Sequence, residues 1–448
     1  MDQGSRSRLL LVSLMGGAAA FCAYFAMYAF RKPFAAAGYD DVSGWAWALD
    51  YKVALVIAQV IGYALSKLLG VKLMAEQGRR GRAMAILGLI ALSWIALVGF
   101  AVTPAPWNVL ALFLNGLPLG LIWGLVFSYL EGRRTSELMG AILCASFIVS
   151  SGVVKTAGRW LMDQGVGEFW MPAATGALFA PLLLVAVIGL SRLPPPSPAD
   201  EAARMPRAPM GRNARRALVR DYGPGLLLLI LAYVVFTAFR DFRDNFAAEI
   251  WSALGYGADA SVFTAAELPV GAAALCGLAC LMMIRDNVRA VLVMHGLVGA
   301  GSALVGLSTL AHQLGLVSPL VWMIANGAGL YVAYTPFNAM LFDRLIAAAR
   351  RVGTAGFLIY LADASGYLGS VALLVGRALF APDLPWLKFF EGAALTVGVV
   401  GCVLTLGSAV YFARRLNAAA ESMPAPAPLQ VCAAPDPGGL KPASRLRG

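Results

Sequence analysis

Stretches of about twenty apolar residues recur along this chain, and they restrict its fold more than any other feature does. They fall near positions 9–30, 49–70, 83–103, 107–130, 137–160, 171–191, 223–250, 260–284, 289–310, 319–342, 353–378 and 387–413. Each matches the length of helix that crosses a bilayer's hydrocarbon core. Twelve such crossings use roughly 240 residues, and the 448-residue chain leaves ample length for loops and tails. Only 13% of the residues are charged, and 60% are hydrophobic with 48 glycines outside that count. A soluble domain carries about 25% charged residues. This chain cannot cover itself with polar surface, which excludes a water-soluble globular enzyme. The expected fold is an all-α integral membrane protein of about twelve transmembrane helices.

Position gives meaning to the excess positive charge, 35 Lys and Arg against 24 Asp and Glu. Every second connection is basic: Arg6 and Arg8, Arg79–Arg82, Arg133 and Arg134, the 192–220 segment, Arg285 and Arg289, Arg350 and Arg351, and Arg414 and Arg415. The intervening connections carry almost none. By the positive-inside rule both termini and the central segment are expected in the cytoplasm. This reading makes the lipid bilayer the partner and excludes nucleic acid. Ala18–Ala20 offer a cleavage-like site after the first basic residues, but the apolar run continues to Phe30, so a retained first helix is expected. Pro194, Pro195, Pro196 and Pro198 open a flexible linker. The expected organisation is a six-helix half at 1–191, a linker at 192–222, a second half at 223–415, and a disordered tail at 416–448. Arg outnumbers Lys 28 to 7, which with abundant Ala and Gly suggests a GC-rich bacterial genome and an inner-membrane location. Among the six cysteines only Cys276 and Cys280 have close spacing, and in an apolar helix they read as packing rather than a metal site.

The two sets of six spans carry an internal echo. Ala29-Phe30-Arg31 returns as Ala238-Phe239-Arg240, Asn115-Gly116 as Asn326-Gly327, and Ser151-Gly152 as Ser365-Gly366, all at nearly one offset. This predicts two pseudo-symmetric halves. Small residues at every fourth position, such as Gly62, Ser66 and Gly70, or Gly116, Gly120 and Gly124, or Ala362, Gly366 and Ser370, give flat helix faces. These faces serve either static packing or a rocking motion.

Ionisable groups within apolar runs are costly and point to function. The candidates are Arg31, Lys32, Lys52, Lys155, Arg240, Asp241, Arg243, Asp244, Asp363 and Arg377. The echo places Arg31 and Arg240 at equivalent positions, where two guanidiniums would clamp a phosphate or carboxylate; the alternative is snorkelling to the interface. Asp241 and Asp244 sit beside Arg240 and Arg243 and also read as a self-neutralising network. Lys155 either faces the cavity or marks a helix end, and Asp363 either titrates in a proton-coupled cycle or pairs with an Arg. No nucleophile pattern surrounds His295 or His312, no phosphate loop of the Walker type is present, and neither enzyme activity, cofactor nor metal is expected.

Tyr24 through Tyr28 to Arg31-Lys32-Pro33-Phe34, then Tyr63-Ala64-Leu65-Ser66-Lys67 with Gly70, and Tyr233 to Arg240 carry a resemblance. With the twelve spans and basic linker, the chain resembles the major facilitator superfamily, and within it the organophosphate:phosphate antiporter branch. The resemblance implies two six-helix halves, with Arg31 and Arg240 as ligands of a substrate phosphate. It departs from that branch where Ser146 occupies the position of a fifth-helix His, and where Met74 or Ala75 replaces a loop Asp. The expected function is a secondary transporter for a small anionic organic solute, phosphate ester or carboxylate, working by alternating access and driven by a proton or counter-solute gradient. Arg31 and Arg240 would bind the anion, Lys155 would assist, and Tyr24, Tyr28 and Tyr233 would supply hydrogen bonds, with Asp363 as the proton-coupling candidate. The protein is expected to act as a monomer. A non-transporting sensor with the same fold is the alternative.

Overall fold

The structure is a computed structural model and describes residues 3–40, 42–73, 79–131, 133, 135–196, 200, 212–349 and 356–421. Helices form at every apolar stretch, and no strand occurs among the described residues. The first half comprises α1 (Gln3–Tyr28), α2 (Tyr51–Leu73), α3 (Arg79–Val102), α4 (Asn108–Leu119), the short α5 (Ile122–Phe127), α6 (Ser136–Asp163) and α7 (Met171–Ser191). The second comprises α8 (Arg212–Asn245), the short α9 (Ala247–Ala253), α10 (Val262–Met282), α11 (Asn287–Gln313), α12 (Pro319–Pro336), the short α13 (Phe342–Ala348), α14 (Gly356–Phe380) and α15 (Trp386–Glu421). Ten stretches among these helices are long and apolar enough to cross a membrane, with α4 and α5 counted as one. The remaining two expected spans are α2, which carries Lys52 and Lys67, and the interrupted α12–α13.

The sequence echo is matched by the packing. In the first half α1 packs on α6 and α7, α2 on α4, and α3 on α4 and α7. In the second, α8 packs on α14 and α15, α10 on α12, and α11 on α12 and α15. These are the same pairs in the same order. The halves meet where α6 packs on α10 and α2 on α14. The echo exchanges those two contacts, as a pseudo-twofold axis between the halves requires.

Several elements depart from uniform spans. The helix of span seven begins at Arg212, inside the stretch expected as linker, and α15 continues to Glu421 beyond the expected start of the tail. The rest of that tail, 422–448, lies outside the described residues, as does most of the linker. Span four breaks after Pro118 into α4 and α5. Span ten passes through a π-helical turn, Phe337–Leu341, after Pro336. In both spans a proline lacks the N–H that would continue the ladder. The small-residue faces pack within halves: a Cβ on Gly116 would lie 3.0 Å from the Tyr63 nitrogen, and one on Gly366 would lie 2.9 Å from the Thr237 hydroxyl.

Candidate functional site

Helix α1 stops at Tyr28, and the chain turns through Arg31 and Lys32 into a short 3-10 segment, Pro33–Ala36. Proline at 33 prevents the helix from continuing. The carbonyls released here are taken up by polar side chains from neighbouring helices. Asn115 on α4 donates to the Phe30 carbonyl at 2.9 Å, and Gln59 on α2 donates to the Arg31 carbonyl at 2.9 Å. Gln59 also donates to Asn115 at 2.7 Å, and Asn115 donates to the Ser93 hydroxyl at 2.6 Å. The backbone that carries Arg31 is thus fixed by a buried polar network.

The Arg31 side chain is 5% exposed. Its guanidinium lies 3.8 Å from the centre of the Tyr63 ring and 5.7 Å from that of Tyr28. No carboxylate among the described residues pairs with it, and its Nε has no hydrogen-bond partner. Arg240, on the continuous helix α8, is neutralised locally: it donates to Asp241 at 2.7 Å and lies 4.3 Å over the Tyr334 ring. Asp241 in turn accepts from Ser370 at 2.8 Å. The Tyr28 hydroxyl lies within electrostatic reach of both guanidiniums, and so does Asp241.

Tyrosines surround this pair of cations. The Tyr24 and Tyr63 hydroxyls are 3.4 Å apart, Tyr24 packs edge-on against Tyr28 and Trp123, and Tyr63 packs edge-on against Tyr367 across the halves. Tyr233 stacks on Tyr334 and donates to Asp363 at 2.5 Å. Asp363 also accepts from Lys67 of the opposite half at 2.6 Å. The structure therefore brings Arg31, Arg240, Tyr24, Tyr28, Tyr233 and Asp363 into one connected region.

Lys155 sits elsewhere. It pairs with Asp244 at 2.5 Å, and Lys32 pairs with the other oxygen of the same carboxylate at 2.5 Å. Lys32 also donates to Asn245 at 2.9 Å, and Lys52 pairs with Glu249 at 2.5 Å. Ser151 donates to Asp244 as well. A cavity of about 10 Å³ adjoins this cluster, lined by Lys155, Arg243, Asp244 and Glu267 among others. That is space for about one water molecule. Arg243 is held by Glu267 at 2.6 Å, and Arg377 stacks 3.3 Å over Trp386, away from the tyrosines.

Two layers of ion pairs thus tie the halves together. Lys67–Asp363 forms one, and the Lys32, Lys155 and Lys52 pairs form the other. Along α2, Lys52 and Lys67 are separated by about 22 Å at a 1.5 Å rise per residue, and Tyr63 with its bound Arg31 lies between them. The sequence reading did not select Tyr63, Tyr334, Tyr367 or Lys67 as site residues. A signal was present: Tyr63 and Lys67, and likewise Asp363 and Tyr367, stand four apart and so share a helix face.

This geometry, two pseudo-equivalent helical halves closed over a buried polar seam, defines a membrane protein with the major facilitator fold. Two solved structures share it. A D-xylose–proton symporter matches with a TM-score of 0.56 and 16% identity, over 89% of this chain and 96% of that one. A bacterial homologue of the human drug peptide transporters PepT1 and PepT2 matches with a TM-score of 0.57 and 15% identity, over 91% of this chain and 98% of that one. At these identities the likeness concerns the fold. The chain belongs to a family of unknown function, DUF5690, whose sequence model matches residues 33–415. No curated protein matches it in sequence.

Proposed function

We propose that this protein is a secondary transporter that carries a small anionic organic solute across the membrane by alternating access. The observation that carries the reading is Arg31: a buried guanidinium without a carboxylate partner among the described residues, on an unwound segment at the seam between the halves. A fold does not retain an uncompensated buried cation without cost, and burying one unpaired costs several kcal/mol. An anionic solute supplies the missing charge. Arg240, with Asp241 remaining beside it, is the second ligand, and Tyr24, Tyr28 and Tyr233 add hydrogen bonds. Lys155 acts through the ion-pair layer at Asp244. Protonation of Asp363 would release Lys67 and loosen the layer on that side, which couples a proton gradient to the cycle.

The solved neighbours, a proton symporter and a peptide-transporter homologue, support transport and leave the solute open. The first-helix resemblance to organophosphate antiporters supports an anion. The basic connections support cytoplasmic termini in a bacterial inner membrane, with the two halves 1–191 and 223–415 rocking as a monomer. Uptake into proteoliposomes tests the reading. Arg31→Ala and Arg240→Ala are expected to reduce uptake at least about a hundredfold, the scale of losing a charge-assisted pair. Arg31→Lys should also fail, because the planar fork is lost. Wild-type uptake in both alanine variants would end the proposal.

A further inference from the structure

The charges around the seam can be paired one by one, and the pairing restricts what the site will hold. Lys67 is matched by Asp363, Arg240 by Asp241 and Arg243 by Glu267. Lys32 and Lys155 share Asp244, and their ammonium groups are further occupied by Asn245 and by the Asp244 carbonyl. Their surplus charge is held inside the closed ion-pair layer. Among the described residues Arg31 has no carboxylate paired with it, and its Nε has no hydrogen-bond partner. With that layer counted apart, the central site offers one net positive charge, that of Arg31.

Its walls are rings. Tyr63 faces Tyr367 across the halves with centroids 5.4 Å apart, and Tyr24 packs on Trp123 at 5.0 Å. Tyr334 carries Arg240 on its face. Of these contacts the edge-on pair Tyr63–Tyr367 crosses the halves, so as they separate those two rings become available to a flat solute.

We infer that the solute is a ring-bearing organic monocarboxylate and that the site discriminates against phosphate monoester dianions; this rests on the transport reading above. A carboxylate takes the Arg31 fork through two parallel hydrogen bonds. Its single charge is balanced, and its ring packs against Tyr63 and Tyr24. A phosphate monoester carries close to two charges above its second ionisation near 6. One of those would remain uncompensated in a site of low dielectric, where it is costly.

The test is thermal shift of the purified full chain with benzoate, glucuronate, hexose phosphate, inorganic phosphate and glucose. At about pH 7.5, above the second phosphate ionisation, benzoate or glucuronate is expected to bind at least about tenfold more tightly than hexose phosphate, the scale of one unbalanced charge. Asp241→Asn keeps an acceptor for Ser370 and frees Arg240, adding one positive charge to the site. That variant should shift preference towards hexose phosphate by about tenfold or more. If wild-type protein binds hexose phosphate as tightly as the monocarboxylates, the inference is overturned while anion transport stands. If Asp241→Asn folds and leaves the preference unchanged, the charge pairing is wrong. If none of these anions stabilises the protein, the transport reading fails as well, and stabilisation by glucose alone would point to a neutral solute.

Discussion

Arg31 is held by aromatic faces rather than by an acid. Contact with the Tyr63 ring at 3.8 Å and the Tyr28 ring at 5.7 Å offsets part of the loss of hydration. A desolvated cation–π contact contributes about 2 kcal/mol, whereas the effective penalty for burying an ion is several kcal/mol. The comparison leaves Arg31 a destabilising residue in the ligand-free protein. Arg31→Met, which keeps length and removes charge, should therefore raise ligand-free stability by roughly 1–3 kcal/mol while abolishing solute-induced stabilisation. Differential scanning fluorimetry with and without benzoate reads both effects. A lower melting temperature for the methionine variant would show that Arg31 is a structural cation.

At the scale of the element, the unwound end of α1 places the guanidinium, and Asn115 fixes that end. The echo supplies its own control. Asn115 bonds the Phe30 carbonyl and Ser93 on α3, whereas its counterpart Asn326 reaches Thr309 on α11 at 3.5 Å. Asn115→Leu strands several buried polar groups, each worth about 1–3 kcal/mol, and releases the segment that carries Arg31. It should lower both the melting temperature and the affinity for solute. Asn326→Leu should cost less stability and leave affinity unchanged, which a binding titration on both variants decides. Much of this architecture was legible in the sequence, because a bilayer dictates runs of about twenty apolar residues. The Arg31–Arg240 and Asn115–Asn326 echoes were legible as well. The breaks after Pro118 and Pro336 were not placed, since a proline within a span marks a weakened ladder without saying whether the helix bends or ends. Pairing across the halves was hidden for a different reason. Lys67 and Asp363 are 296 positions apart, and Asp363 alone reads as a lone acid within an apolar run with nothing to name its partner.

For the molecule as a whole, two ion-pair layers about 22 Å apart along α2 cannot both stay closed in the proposed transport cycle. The layers differ in make-up. Asp244 collects two lysines, with Lys52–Glu249 beside it, whereas the other layer has Lys67–Asp363 as its described ion pair between the halves. In the proposed cycle Asp363 is the group through which a proton would open the Lys67 layer. Tyr233 hydrogen-bonds that carboxylate and Tyr334, on whose face Arg240 rests, so in the proposed cycle solute at Arg240 and charge at Asp363 act on one connected chain of side chains. Asp363→Asn imitates the protonated state at constant shape. It should retain solute exchange between loaded proteoliposomes within about threefold, yet lose accumulation driven by a pH gradient, because the step that consumes the proton is already complete. Accumulation at the wild-type level would remove Asp363 from the coupling path. Loss of exchange together with accumulation would assign Lys67–Asp363 to holding the halves in register, with no part in energy coupling.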